Sequence, residues 1–224
     1  MSWLDTSIKH SKKLKDHYKL HGVDIFIKDA FTIDIDFDFV LRYISVRIPQ
    51  HLFKNVDIIY VGSFQDLIDR EVTAIYEHGA IYITNDQDSE MDLIDDMIHE
   101  IAHSNEVKYQ EIIYGDKKVD KEFLKKRKAL FRILKQKGKY DIPIKFTVDP
   151  SYSKEVDLFL HKGVTYRVLW EMIPGLFPSP YAATSVREYY ARGFEEYFMG
   201  ERKSLKDICP ILYSKLEQLE NVED

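Results

Sequence analysis

A single cysteine, Cys209, leaves the chain no partner for an internal disulfide, so a reducing compartment is expected. Breakers are scarce as well: nine glycines and seven prolines punctuate 224 residues, and no internal repeat is visible. No stretch approaches the ~18 apolar residues that a membrane span requires. The first residues offer no apolar core for a signal peptide, because an Asp and a Lys-rich run follow Met-Ser-Trp-Leu. The expectation is a soluble chain that starts out in the cytosol. An excess of positive charge is missing too. The formal net charge is -6, which argues against a surface built throughout for nucleic acid. What is present, 45% hydrophobic and 31% charged residues, suits a globular chain with a real core and excludes a disordered tail.

The net charge hides a segregation. Residues 117–139 hold eleven of the 32 Lys+Arg and only two acids, Asp120 and Glu122, which makes that segment +9. The remaining 21 basic and 36 acidic residues sum to -15. The segment reads as a basic amphipathic helix, with Phe123, Leu124, Leu130, Phe131 and Leu134 on one side. Such a helix can dock on an anionic partner, although a solvated helix packed on its own domain is the commoner fate. With only two interleaved Phe it lacks the aromatic content of a single-strand binding platform.

Along the chain, residues 3–20 read as an exposed Lys-rich helix, within an N-terminal helical region of about 1–22. Period-two alternation over 23–36 predicts a strand or hairpin. Helical spacing follows over 38–53, where Pro49 should end or bend the helix. A strand at 56–62, a short helix at 64–71 and a hairpin over 74–85 complete the first half. Helices are predicted at 90–108, 117–137, 153–172, 184–199 and 203–220. Strands first and helices later indicate an α+β fold. Residues 140–153, with Pro143 and Pro150, read as a loop within one domain spanning 1–224.

Residues 99–103 read His-Glu-Ile-Ala-His. Positions four apart on a helix share a face, so His99 and His103 can turn a ring nitrogen toward one metal ion. Glu100 then sits beside the metal's open side, where it can take a proton from water. Zinc lowers the pKa of its water to about 7 and polarises a scissile carbonyl, which is the chemistry this pattern serves. Met97, Ile98, Ile101 and Ala102 are uncharged, as a buried helix needs. Asp88 or Ser89 can cap it, and Asp92 suits its first turn. The acidic run Asp86, Asp88, Glu90, Asp92, Asp95 and Asp96 either favours basic substrates or complements the helix dipole.

A catalytic zinc needs a third protein ligand. No histidine occurs in 104–115, and downstream only His161 remains. The helix around 187–198 offers Glu188, Glu195 and Glu196. Spacing does not choose between Glu188 and Glu195, which lie two turns apart on nearly one face; a place at the helix start favours Glu188.

The pairing of His-Glu-x-x-His with Glu-Tyr-Tyr-Ala-x-x-Phe at 188–194 resembles the catalytic domain of the anthrax lethal factor family, which includes the clostridial Pro-Pro endopeptidases. That resemblance implies a zincin-like fold with a small mixed sheet, an active-site helix and a mostly helical C-terminal half. It implies a zinc-dependent endopeptidase of the gluzincin type with one Zn2+ per chain, held by His99, His103 and Glu188. Glu100 would be the general base, and Tyr181, in the stiff Pro-Ser-Pro-Tyr loop, would stabilise the oxyanion. The substrate would be an extended peptide or protein. A strand over 79–85 would run along the cleft as an edge, with Tyr82 and Thr84 contacting the substrate, while the sequence alone equally allows a strand paired wholly inside the sheet. Two features depart from the pattern. His103 and Glu188 are 85 residues apart, which implies an insertion within 105–175, its basic helical part at about 105–150. Arg192 stands where relatives tend to carry an acid. The competing expectation is a catalytically weak or inactive protein of this fold that acts as an interaction component of a larger assembly.

Overall fold

The computed structural model describes residues 16–137 and 140–222. The predicted helix over 3–20 lies mostly outside them. Its described end is instead a strand, β1 (Asp16–Leu20), followed by β2 (Val23–Ile27). The chain divides into two compact units, Met1–Lys108 and Tyr109–Asp224.

The first unit carries a mixed five-stranded sheet in the order β1-β2-β3-β5-β4, with β3 at Ile58–Gly62, β4 at Ala74–Glu77 and β5 at Ala80–Thr84. β1 with β2 and β4 with β5 are antiparallel hairpins, whereas β2–β3 and β3–β5 are parallel. Both hairpins turn on a His-Gly pair, His21–Gly22 and His78–Gly79, with φ of 51° and 91° and of 49° and 86°. Two successive positive φ values match the twist of a two-residue hairpin, and glycine takes the second without a Cβ penalty. β2 alternates as its sequence predicts, with Val23, Ile25 and Ile27 buried. The alternation does not continue as strand to residue 36, because the chain leaves the sheet after Ile27. Residues 28–36 are tied down through Asn85 Nδ2 to Ala30 O, Thr32 Oγ1 to Asp86, and Asp36 N to Glu90.

Helix α1 (Phe37–Arg47) is capped by Asp36 and stops before Pro49, as the sequence predicts. A short helix, α2 (Gln65–Arg70), leads toward β4. α3 (Glu90–Tyr114) begins with a reciprocal cap, since Ser89 Oγ accepts from Asp92 N and donates to the Asp92 carboxylate. Its residues Met97, Ile98, Ile101 and Ala102 are fully buried. Tyr109 departs from helical geometry within α3, at φ -105° and ψ 20°.

The second unit is helical: α4 (Lys118–Lys137), α5 (Lys154–Leu158), α6 (Tyr166–Met172), α7 (Val186–Met199), α8 (Arg202–Ile208) and α9 (Pro210–Glu220). The predicted helix over 153–172 is interrupted by a π-helical turn, Phe159–Val164, and by Thr165 at φ 77°. The one over 203–220 is two helices, because Pro210 has no N–H to continue the first and opens the second instead.

The basic segment is a core helix of this unit. Val119, Phe123, Leu130 and Leu134 are buried, and so are Lys126 and Arg127. Leu124 and Phe131, expected on the apolar side, are only half-buried. Arg127 donates to the backbone oxygens of Phe146, Asp149, Ala183 and Thr184. Its guanidinium lies 4.6 Å from the Phe123 ring centre and 5.1 Å from that of Phe146. Burial lowers its pKa to about 10, which still leaves it charged at neutral pH. Lys126 Nζ likewise reaches Leu176 O and Ile208 O at 2.7 and 2.6 Å. Glu122 accepts from Tyr189 Oη and from the first amides of α9, Ile211 N and Leu212 N, where a carboxylate suits the helix dipole. Three charged side chains of this helix therefore organise the fold of their own unit.

Candidate metal centre

Two consecutive turns of α3 present His99, Glu100 and His103. The two Nε2 atoms approach to 3.1 Å. Nitrogens about 2.0–2.1 Å from one tetrahedral zinc stand about 3.3 Å apart, so the observed spacing fits a shared ion. The far side of His103 is held as well, with Nδ1 2.8 Å from the Glu106 carboxylate and both groups buried. A carboxylate on Nδ1 keeps the proton there, which leaves Nε2 with its lone pair for a metal. The sequence reading did not select Glu106. Its place one turn after His103 on the same face was the available signal.

Glu100 is 7% exposed. Its Oε2 accepts the backbone N–H of Tyr76 at 2.6 Å, which fixes the carboxylate against β4. That bond bears on the expected cleft strand. Residues 80–84 form β5, which is paired on both sides, to β3 and to β4. It is not an edge. Tyr82 stacks on Tyr60 at 5.5 Å and meets Phe64 edge-on at 5.3 Å, while Thr84 Oγ1 accepts from Asp86 N. The hairpin places its first strand outermost, so among the described residues β4 is the edge. Period-two patterning marks both strands of a hairpin equally and does not say which lies outside.

The acidic run ahead of the motif is engaged locally. Asp96 accepts from Thr73 Oγ1 and Gln87 Nε2, Asp86 from Thr32, and Glu90 from Asp36 N.

In the second unit, Ser185 caps α7 by accepting from Glu188 N. The three candidate carboxylates of this helix have different fates. Glu195 is buried in an ion pair with Arg192 at 2.7 Å. Glu196 accepts from Glu201 N. A ligand atom from each of His99, His103 and Glu188 lies within 4.8 Å of the other two, close enough to hold one metal ion. Nitrogen and carboxylate donors in this ratio suit zinc, although the residues alone do not name the metal.

Tyr181 opens a 3-10 turn, Tyr181–Ala183, directly after Pro180. Arg192 lies 5.6 Å over its ring, and Tyr166 meets it edge-on at 5.9 Å. Burial first, and then the charges of Glu188 and Asp157, push its pKa well above the usual phenol value, so it is a hydrogen-bond donor at neutral pH. Tyr152 and Tyr166 each donate to one oxygen of Asp157, both at 3.0 Å. This Asp157-centred group beside Tyr181 was missed from the sequence. In an unbroken helix, positions 157 and 166 would point about 180° apart. The π-helical turn and the left-handed Thr165 bring Tyr166 back to Asp157. A positive φ at a β-branched residue costs energy and is found where surroundings enforce it.

The chain matches no protein-family model, no curated protein and no solved structure.

Proposed function

We propose that the chain is a zinc-dependent endopeptidase in which His99, His103 and Glu188 hold the metal. The proximity of those three ligand atoms, from positions 85 residues apart in sequence, carries the reading. The resemblance of both motifs to the lethal factor family supports it. Zinc bound there would supply Lewis acidity, polarising a peptide carbonyl and acidifying water. Glu100, fixed by the Tyr76 amide, accepts the proton of the attacking water and returns it to the leaving amine. Tyr181 donates to the negative charge that develops on the carbonyl oxygen, and the proline before it limits its motion. An extended substrate pairs with the outer edge of β4, whose Tyr76 already touches Glu100.

The test is metal analysis of the purified protein together with cleavage profiling of an unbiased peptide library. About one zinc per chain is expected, with cleavage abolished by a chelator and restored by zinc. Protein that takes up no stoichiometric metal would end the proposal. Arg192 motivates a second reading, an inactive member of this fold that serves as an assembly component. Its guanidinium covers the Tyr181 ring where relatives tend to carry an acid. Full zinc loading with no cleavage of any library member would favour it.

Glu106→Gln isolates the outer support of His103. The amide removes the charge that holds the Nδ1 proton but keeps the shape. Zinc affinity, measured by competition with a chelating dye, should fall about 10–100-fold with the circular dichroism spectrum unchanged. An unaltered affinity would show that Glu106 does not tune this histidine.

A further inference from the structure

The second unit contains a pocket of about 300 Å³ whose lining includes no residue of the metal centre. Its walls include Trp170 and Phe177, prolines Pro174, Pro178 and Pro180 stiffen it, and Glu196 contributes a carboxylate. Trp170 is 64% exposed, an unusual fate for the largest aromatic side chain. The Glu196 carboxylate takes one backbone N–H, from Glu201 at 3.1 Å. Among the described residues no ion pair engages it. No Lys or Arg lines the pocket. Lys126 Nζ lies 5.9 Å from the Phe177 ring centre, but two carbonyl oxygens already hold it.

The geometry points to a binding site for an arginine side chain presented by a peptide or protein partner. A planar guanidinium stacks on an indole face, where the ring quadrupole attracts it. Its remaining N–H groups donate to a carboxylate, the stronger kind of hydrogen bond. The volume is at the low end for ligand pockets, right for one side chain rather than a cofactor. The proline-rich rim is already rigid, so little ordering opposes binding. The site is independent of peptide hydrolysis, since none of its lining residues is assigned to the metal or to proton transfer.

The chain has two tryptophans, Trp3 and Trp170, so the full-length Trp3→Phe variant reports Trp170 fluorescence alone. It would be titrated with acetylated tripeptide amides of sequence Ala-X-Ala, in which X is arginine, norleucine or glutamate. The arginine peptide should give a saturable change. The norleucine peptide should bind at least about tenfold more weakly, and the glutamate peptide not at all. Glu196→Gln keeps an acceptor for the Glu201 amide and removes the charge. It should weaken the arginine peptide about tenfold and leave the norleucine peptide unchanged. Equal binding of arginine and norleucine, indifference to Glu196→Gln, or no saturable signal with arginine would each overturn the assignment.

Discussion

Glu100→Gln should retain one zinc per chain and lose about 10²–10⁴-fold in peptide hydrolysis, the usual contribution of a positioned general base. Glutamine has the same shape, and its carbonyl oxygen can still accept from Tyr76 N, the bond that ties this side chain to the edge strand. It cannot accept a proton from water. Glu100→Ala would be a poorer test, because it also leaves the Tyr76 amide without its acceptor and confuses lost chemistry with a disturbed β4. Kinetics on the best library peptide, with zinc measured on the same preparation, decide the matter. Turnover equal to the unmodified protein would remove Glu100 from the mechanism even if the metal is bound as expected.

The second large effect is expected outside the motif, at Arg127. Its buried guanidinium satisfies four carbonyl oxygens, two of them in the segment between Tyr181 and the Ser185 cap. Arg127→Met fills the volume but leaves those acceptors buried without a donor. Losing the charged member of such a buried network costs about 3–5 kcal/mol. For a chain of this size that lowers Tm by roughly 10 °C. Arg127→Lys keeps the charge but cannot reach four acceptors in a plane, so it should restore only part of the loss. Because Ala183 and Thr184 lead directly into the turn of α7 that bears Glu188, zinc affinity should fall together with Tm. Calorimetry and dye competition on the same variants test both. A methionine variant as stable as the parent would show that the carbonyls find other donors.

These two residues separate what was legible in the chain from what was not. The His-Glu-x-x-His spacing, the Ser89 cap and the uncharged flanks at Met97, Ile98, Ile101 and Ala102 are local. Helical periodicity alone puts the two histidines on one face and those flanks on another, and the structure has that helix with the flanks buried. The hairpin over 74–85 and the stop at Pro49 were readable for the same reason, since a turn pair or a missing N–H acts within a few residues. Charge patterning was less informative. The +9 of residues 117–139 favoured a solvated helix packed on its own domain over a dock for an anionic partner, and periodicity counts Lys126 and Arg127 as its solvent-facing cations. It does not reveal that carbonyls from distant loops await them.

By itself the sequence determined the α+β composition and the helix over 90–108 with its two histidines on one face, because each depends on neighbours within a turn or two. Only the tertiary structure decided that Glu195 pairs with Arg192, that β4 rather than β5 is the edge among the described strands, and that Asp157 meets Tyr166. Those choices depend on which partner the folded chain brings near. Glu195 is taken by Arg192, β5 is covered on both sides, and a break in one helix turns Tyr166 around. Side-chain spacing along a single element carries no record of such long-range pairings.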